Sequence, residues 1–357
     1  MWVEFTVHAA AKIKKSSIRP STPDDAPALV ALLAEAGLSA NASAREQQWK
    51  YWQERPDWPG SRSYVMTRGS EILAHAGLVP GMLATESGRF RVLHLIDWAA
   101  HPTATGAGVA LMKSLGKLTD VLLAIGGSAQ TLKILPQLGF KPCGAAMSYV
   151  RTLRPLRILA PSVHHHWKLV PRLARSAFWA LTAPSVDSAG WDARPVGSSE
   201  TATVAAFFPA PTPDLAVLER SEDLLRYILQ CPVVPMELFA LEKRGSVGGY
   251  FLMAFAPGQA RLADCWMQST DPADWRALVN CAVREAKRRP DVAELVSWAS
   301  DPTLSHCLRE CGFHARGAQQ ARLLATHESN FSAAAVRLQM LDNDAVYRRP
   351  VRAEFLA

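Results

Sequence analysis

The chain has 357 residues, a length that suits two ordinary cores better than one. Hydrophobic residues make up 49% of it and charged residues 20%, which excludes a disordered chain and describes a globular one. The net charge of +7 is uneven: no acidic residue lies between Asp120 and Asp187, whereas Lys133, Lys141, Arg151, Arg154, Arg157, Lys168, Arg172 and Arg175 all do.

The opening residues, MWVEFTVHAAAKIKKSS, interrupt their apolar positions with Glu4, His8 and Lys12, unlike a secretory signal. No stretch approaches the roughly 18 apolar residues of a membrane span. A cytoplasmic protein is the expectation. SSIRPS then reads as a strand, and TPDDAPALVALLAEAG as a helix with Asp24 and Asp25 in its first turn and Gly37 as its stop. A second helix, SAREQQWKYWQER, precedes three strand-like runs, SRSYVMTRG, EILAHAGLVPGML and FRVLHLIDWAA. A Gly-rich turn, the helix VALMKSLGKL, the apolar strand VLLAIGG, the helix TLKILPQLGF and a strand near AAMSYVRTL complete the first half.

Residues 151–190 read as a basic connector with prolines at 155, 161, 171 and 184. From Pro171 the residues Leu173, Ala174, Ala177, Phe178 and Leu181 recur at helical spacing, which predicts a short amphipathic helix docked by that stripe. A membrane-surface contact and a contact with phosphates are the alternatives for it. His164 to His166 read as solvated linker residues. Nothing in the chain interleaves basic and aromatic residues as a nucleic-acid module does, so no DNA partner is expected.

The order then repeats. MELFALEKRGSVGGYFLMAFAPGQARLADCWMQ gives three strands, followed by the helix DPADWRALVNCAVREAKRR, the strand VAELVSWAS, the helix TLSHCLRECGF and the strand QQARLLA. TLKILPQLGFKPCG matches TLSHCLRECGFHARG, and LIDW matches LADCW, which points to two copies of one α/β (α+β) mixed-sheet fold. The six cysteines are scattered through core-like segments. Only Cys307 and Cys311, with His306 and His314 nearby, could begin a zinc site; no second ligand pair accompanies them, so no metal is expected.

The turn HPTATGAG carries the clearest chemical signal. A strand ending at Ala100 that enters a helix near Val109 leaves backbone amides free at the helix start, an anion site for phosphate. Gly106 and Gly108 let a pyrophosphate come close to the main chain. No Lys-Ser/Thr pair follows, and no acidic residue stands at dinucleotide spacing, so neither a nucleotide triphosphatase nor a dinucleotide fold fits. A purely structural tight turn is the plainer alternative.

The order of strand, AAHPTATGAGVALMKSL, strand, and a helix closing in LPQLGF resembles the GNAT acetyltransferase superfamily, as does the start IRPSTPDDAPALVALLAEAGL. The resemblance implies two GNAT-like domains in tandem, at 17–150 and 191–330, joined by the basic helical linker 151–190 and followed by an extension at 331–357. In that family the segment Arg/Gln-x-x-Gly-x-Gly/Ala holds the pyrophosphate of acetyl-CoA. Carried over position by position, it implies that Ala100, Thr105, Gly106, Ala107, Gly108, Val109 and Ala110 contact acetyl-CoA as co-substrate. Thr105 stands where Arg or Gln is usual. The second copy, WMQSTDPADWRALV, has no glycine at the corresponding turn and reads as degenerate.

Transfer to an amine needs a base for the amine and an acid for the leaving thiolate. Where many family members have a Tyr acid this chain has Leu135, and Leu308 in the second copy. His94 and Asp97, on the strand before the turn, are the candidate catalytic residues, with His94 as base and Asp97 as a structural carboxylate; His75 is a third candidate. A core histidine and an ion-paired aspartate are the plainer readings of the first two. Their odd separation places them on opposite faces of a regular strand, although the family commonly has a bulge there. The expected function is acyl-CoA-dependent N-acetyltransfer to a small-molecule or peptide amine held between the first sheet and the second domain. Two alternatives stay open: a GNAT-fold binding protein without turnover, and an aminoacyl or peptidyl transferase using charged tRNA.

Overall fold

The structure is a computed structural model that describes residues 16–38, 43–158, 166–326, 335–348 and 355–357. In the first half, strands β1 (Ser16–Pro20), β2 (Ser63–Arg68), β3 (Glu71–Thr85), β4 (Gly88–Ala100), β5 (Val121–Ile125) and β6 (Lys141–Thr152) accompany helices α1 (Ala26–Glu35), α2 (Ala44–Gln47), α3 (Ala107–Leu115) and α4 (Ala129–Gln137). Helix α5 (His166–Thr182) leads to β7 (Asp192–Val196), α6 (Ala202–Ala205), β8 (Leu215–Leu218) and α7 (Glu222–Leu229). Strands β9 (Met236–Lys243), β10 (Ser246–Ala256) and β11 (Gln259–Met267), helix α8 (Pro272–Arg288), β12 (Glu294–Ala299), α9 (Pro302–Glu310), β13 (His314–Ala325) and β14 (Ala335–Arg337) follow. The sequence assigns nothing to 192–229, where β7, β8, α6 and α7 lie.

The strands form one continuous mixed sheet in the order β1-β2-β3-β4-β5-β13-β6-β12-β11-β10-β9-β7, with β8 attached to β3 and β14 to β8. Each half ends in a strand that lies in the other half's part of the sheet. Ala321 of β13 pairs with Ile125 of β5, and Glu294 of β12 pairs with Thr152 of β6. The two exchanged strands also pair with each other.

Burial on both faces explains the uninterrupted apolar strands. In β5, Val121, Leu123 and Ile125 enter the large core shared by the two halves, while Leu122 and Ala124 face α3 and α4. In β10, Tyr250, Leu252 and Ala254 enter the shared core, and Phe251, Met253 and Phe255 pack beneath α8 and α9. Cys307 in α9 and Cys311 just after it are buried, with their thiols against the Pro272 and Arg276 carbonyls of α8.

Two local expectations change. The second helix winds as α only through Gln47, and Gln48–Trp52 form a π turn that brings Trp49, Lys50 and Tyr51 inward. Helix α5 starts before Pro171 and is rotated away from its expected docking: Phe178 and Leu181 of the apolar stripe are 63% and 85% exposed, whereas Ser176 is buried. The polar face docks instead. Arg172 donates to the main-chain oxygens of Ala357 and Phe355, and Trp179 stacks on His314 at 4.0 Å. Two hydrogen bonds from a charged donor, about 1.5–3 kcal/mol each, together with the Trp179 stack, hold this orientation. His164 and His165 lie outside the described residues.

Candidate functional site

In each half a parallel strand pair parts after a few residues. Strand β4 pairs with β5 only from Val92 to His94, and β11 pairs with β12 from Gln259 to Leu262. At the first opening, Asp97 and Trp98 of β4 stand opposite the single residue Ala76 of β3, a bulge that turns the strand outward. Asp97 sits at φ 45°, a costly left-handed conformation that aspartate tolerates better than most residues.

Its neighbours hold it there. The Asp97 carboxylate meets Lys50 Nζ at 2.5 Å and accepts from the Tyr51 hydroxyl at 2.6 Å. Its carbonyl accepts from His75 Nδ1 at 3.1 Å, which leaves His75 Nε2 to accept from Ser63. Burial pushes His75 down to about 4 against the pull of Asp97, so the ring is neutral, as this tautomer requires. Both ring nitrogens are occupied, and His75 is a support for the bulge.

Trp98 ties the bulge to the turn, donating from Nε1 to the Gly108 carbonyl at 3.0 Å. Gly106, at φ 83°, opens α3 without a side-chain cap. The amides of Ala107 and Ala110 bond back to Ala104 and Gly106; those of Gly106, Gly108 and Val109 have no backbone acceptor among the described residues. A Cβ on Gly106 would meet nothing within 4 Å, so the space over the turn is open. The second half is built otherwise. Helix α8 begins with Asp271, whose carboxylate accepts from the Ala273 amide, so a negative charge already occupies that helix start.

The second opening is also filled. Gln339 accepts from Cys265 N and donates to Cys265 O, and Leu338 exchanges hydrogen bonds with Ser300 at the end of β12. The first opening is a cleft of about 1100 Å³ between the bulge, the α3 turn, and Gly126 to Thr131 at the start of α4. A departure is shared by both halves: Asp264, also beside a register shift, accepts from Tyr250 and pairs with Arg220 at 2.9 Å, as Asp97 does with Tyr51 and Lys50.

Behind the cleft, across the first sheet, is a smaller cavity of about 60 Å³ where β3 and β4 face β8 and α7. Lys50, Asn343 and Tyr347 line both spaces. His94 faces this cavity. It is 3% exposed, neither ring nitrogen has a partner, and burial pushes it down to about 4.

Burial opposes the Lys50 charge, but Asp97 and Asp344 outweigh it and raise its pKa. Asp344 lies 3.5 Å from the ammonium; burial raises it, and so does Asp97, while Lys50 lowers it. Asp97, the nearer carboxylate, is held low by Lys50 against its own burial.

Of the expected contacts, Ala100, Thr105, Gly106, Gly108 and Val109 line the cleft. The Ala107 side chain turns into the core and that of Ala110 lies on the exposed face of α3, and neither lines the cleft. Asp97 lines the cleft and His94 does not. Leu135 is buried at the cleft floor and Leu308 in the α9 core. Missed altogether were Lys50, which looks like an ordinary helix lysine, and the C-terminal Asn343, Asp344 and Tyr347, whose stretch has no periodicity to read. Tyr347 is the one tyrosine lining the cleft among the described residues, and burial with Asp344 keeps its phenol protonated.

No family model and no curated protein sequence matches the chain. Solved structures do. A probable N-acyltransferase from Enterococcus faecalis V583 has a TM-score of 0.58 at 10% identity, covering 88% of this chain and 73% of that one. A GCN5-related N-acetyltransferase from Anabaena variabilis ATCC 29413 has a TM-score of 0.56 at 10% identity over 88% and 73%. A tandem GNAT protein from the clavulanic acid biosynthesis pathway has a TM-score of 0.54 at 14% identity over 88% and 100%. Across most of its length, the chain therefore carries the fold of the GNAT superfamily, a mixed α/β fold on a curved mixed sheet.

Proposed function

We propose that the protein is an acyl-CoA-dependent N-acetyltransferase built as two GNAT-like units, of which the first binds the acyl donor and the second, with the C-terminal segment, closes the acceptor side. The observation that carries this reading is the contrast between the two openings. One has an uncapped helix start and an open cleft of about 1100 Å³, at the upper end of small-molecule sites and suited to a long nucleotide thioester. The other is capped by Asp271 and plugged by Gln339.

In this reading the amides of Gly106, Gly108 and Val109 receive the pyrophosphate, with Thr105 at the rim. The thioester arm lies along the bulge toward the place where β4 and β5 part, with the amine entering from the smaller cavity. His94, at the last β4–β5 pair, takes the amine proton as the new C–N bond forms. Tyr347 hands a proton to the departing thiolate, in place of the absent tyrosine at Leu135. The bland helix-start turn remains structural only if no acyl-CoA binds.

Titration with acetyl-CoA tests this. One molecule should bind per chain, and Gly106→Asp should weaken it at least about tenfold, because aspartate accepts the left-handed conformation yet places a negative charge at the cradle. Asp271→Gly should leave stoichiometry at one. Unchanged affinity in Gly106→Asp would remove the cleft from the proposal. Gly108 is a poorer probe, since its Cβ would meet Trp98 Nε1 at 3.1 Å and disturb the bulge itself.

A further inference from the structure

One cation lining the smaller cavity lacks the direct carboxylate contact that its neighbours have. Among its cations, Arg55 is paired with Asp57, Lys50 with Asp97 and Asp344, and Arg220 with Asp264 and Asp342. Arg62 has no carboxylate partner among the described residues, although it is only 5% exposed. It donates to the Tyr227 hydroxyl at 2.6 Å and to the Trp49 and Gln53 carbonyls at 2.8 and 2.5 Å. Those are three of the five donors of a guanidinium. Its Cζ also lies 4.9 Å from the centre of the Tyr227 ring, on which Trp49 stacks at 4.7 Å, so the side chain is fixed from several sides.

A buried cation without a counter-charge is expensive, and the ordinary remedies are a carboxylate or a hydrogen-bonded anion. His94 is the second polar group left over in the same cavity, with both nitrogens unpartnered. One ligand that satisfies both has an anion at one end and a proton-bearing group a few bonds away. The volume limits the rest: about 60 Å³, at the 10–15 Å³ that one water occupies, holds roughly four to six heavy atoms. An α-carbon with its carboxylate and amine has five.

We infer that the cavity takes the α-amino-acid end of the acceptor, with its carboxylate on Arg62 and its amine beside His94. The inference rests on the transferase reading for the role of the amine, and not for the binding of the carboxylate.

The test pairs tyrosine, phenylalanine, histidine, arginine and lysine with tyramine, phenethylamine, histamine, agmatine and cadaverine, which lack the carboxylate. Binding is read by tryptophan fluorescence, since Trp49 lines the cavity, and acetylation by mass of the product with acetyl-CoA present. At least one amino acid should bind roughly tenfold to a hundredfold more tightly than its amine. That preference should collapse in Arg62→Gln and partly return in Arg62→Lys, while acetyl-CoA affinity stays unchanged in both. Equal binding of amino acids and amines, or binding of neither while acetyl-CoA binds, overturns the inference and leaves the transferase reading in place. Carboxylate-dependent binding in a protein that takes no acetyl-CoA upholds the cavity assignment and removes the transferase reading. Should Arg62→Gln fail to fold, the wild-type preference alone decides.

Discussion

Replacing Lys50 by methionine separates an electrostatic account of the bulge from a packing account. Lys50 is 7% exposed and lies 2.5 Å from Asp97, which is itself 11% exposed, and 3.5 Å from Asp344 at 26%. Methionine keeps the length and most of the contacts but leaves two carboxylates without their cation. Breaking a buried pair from one side typically costs about 3–5 kcal/mol, and Asp97 should account for most of it because Asp344 is partly screened. The sign with pH follows from the directions. In the wild type Asp97 is held low, so its stabilising share is present above its unfolded pKa and is lost as pH falls. In Lys50→Met the same carboxylate is pushed up by burial, takes a proton on acidification, and relieves the strain. The deficit of the variant should therefore be largest near pH 8 and shrink by a third or more near pH 5.5, an estimate on the order of one pKa unit of relief. Denaturant unfolding at the two pH values measures this. Lys50→Met with Asp97→Asn should recover about 1–3 kcal/mol relative to additivity. An equal deficit at both pH values, together with additive single changes, would refute the electrostatic account.

His75 and His94, both pushed down to about 4 by burial, bind fewer protons folded than unfolded, so stability should fall as pH drops from about 6.5 toward 4. His94→Leu should flatten that slope in urea midpoints, by up to about 3 kcal/mol at pH 4.5, and a slope unchanged from wild type would contradict the burial. For the same reason, an activity dependent on neutral His94 should persist well below pH 6, with its acid limb nearer 4 to 5, and a limb at 6 to 7 would assign it to another group. Trypsin should spare Arg172, which is tied to the main chain at Phe355 and Ala357, and rapid cutting there in the native protein would contradict the docking of α5.

Strand and helix order was legible because the local patterns are strong, as in the apolar run VLLAI, which is buried on both faces. The two matching segments, LIDW and LADCW, even reach the same detail, an aspartate beside a strand irregularity with a tyrosine and a cation on its carboxylate. The exchange of β6 and β13 was not legible, since each strand pattern is satisfied by either neighbouring half and only long-range pairing decides. Helix α5 misled because periodicity shows which residues share a face and not which face finds a partner. At the candidate site the glycine turn was visible. Lys50 was not, because the π turn that carries it inward leaves no mark on composition, and Tyr347 was not, because it sits in short turns whose position depends on the filled second opening.

The exchanged strands set a timetable for synthesis. When β5 leaves the ribosome its partner β13 is still about 200 residues away, a wait on the order of 10–40 s at 5–20 residues per second. Throughout that interval the nascent first half presents an unpaired apolar edge, the kind of surface that recruits other chains. Its nearest available substitute is β6, the strand that must later serve β12. Folding of this protein therefore includes either a delayed completion of the first half or a provisional pairing that has to be undone.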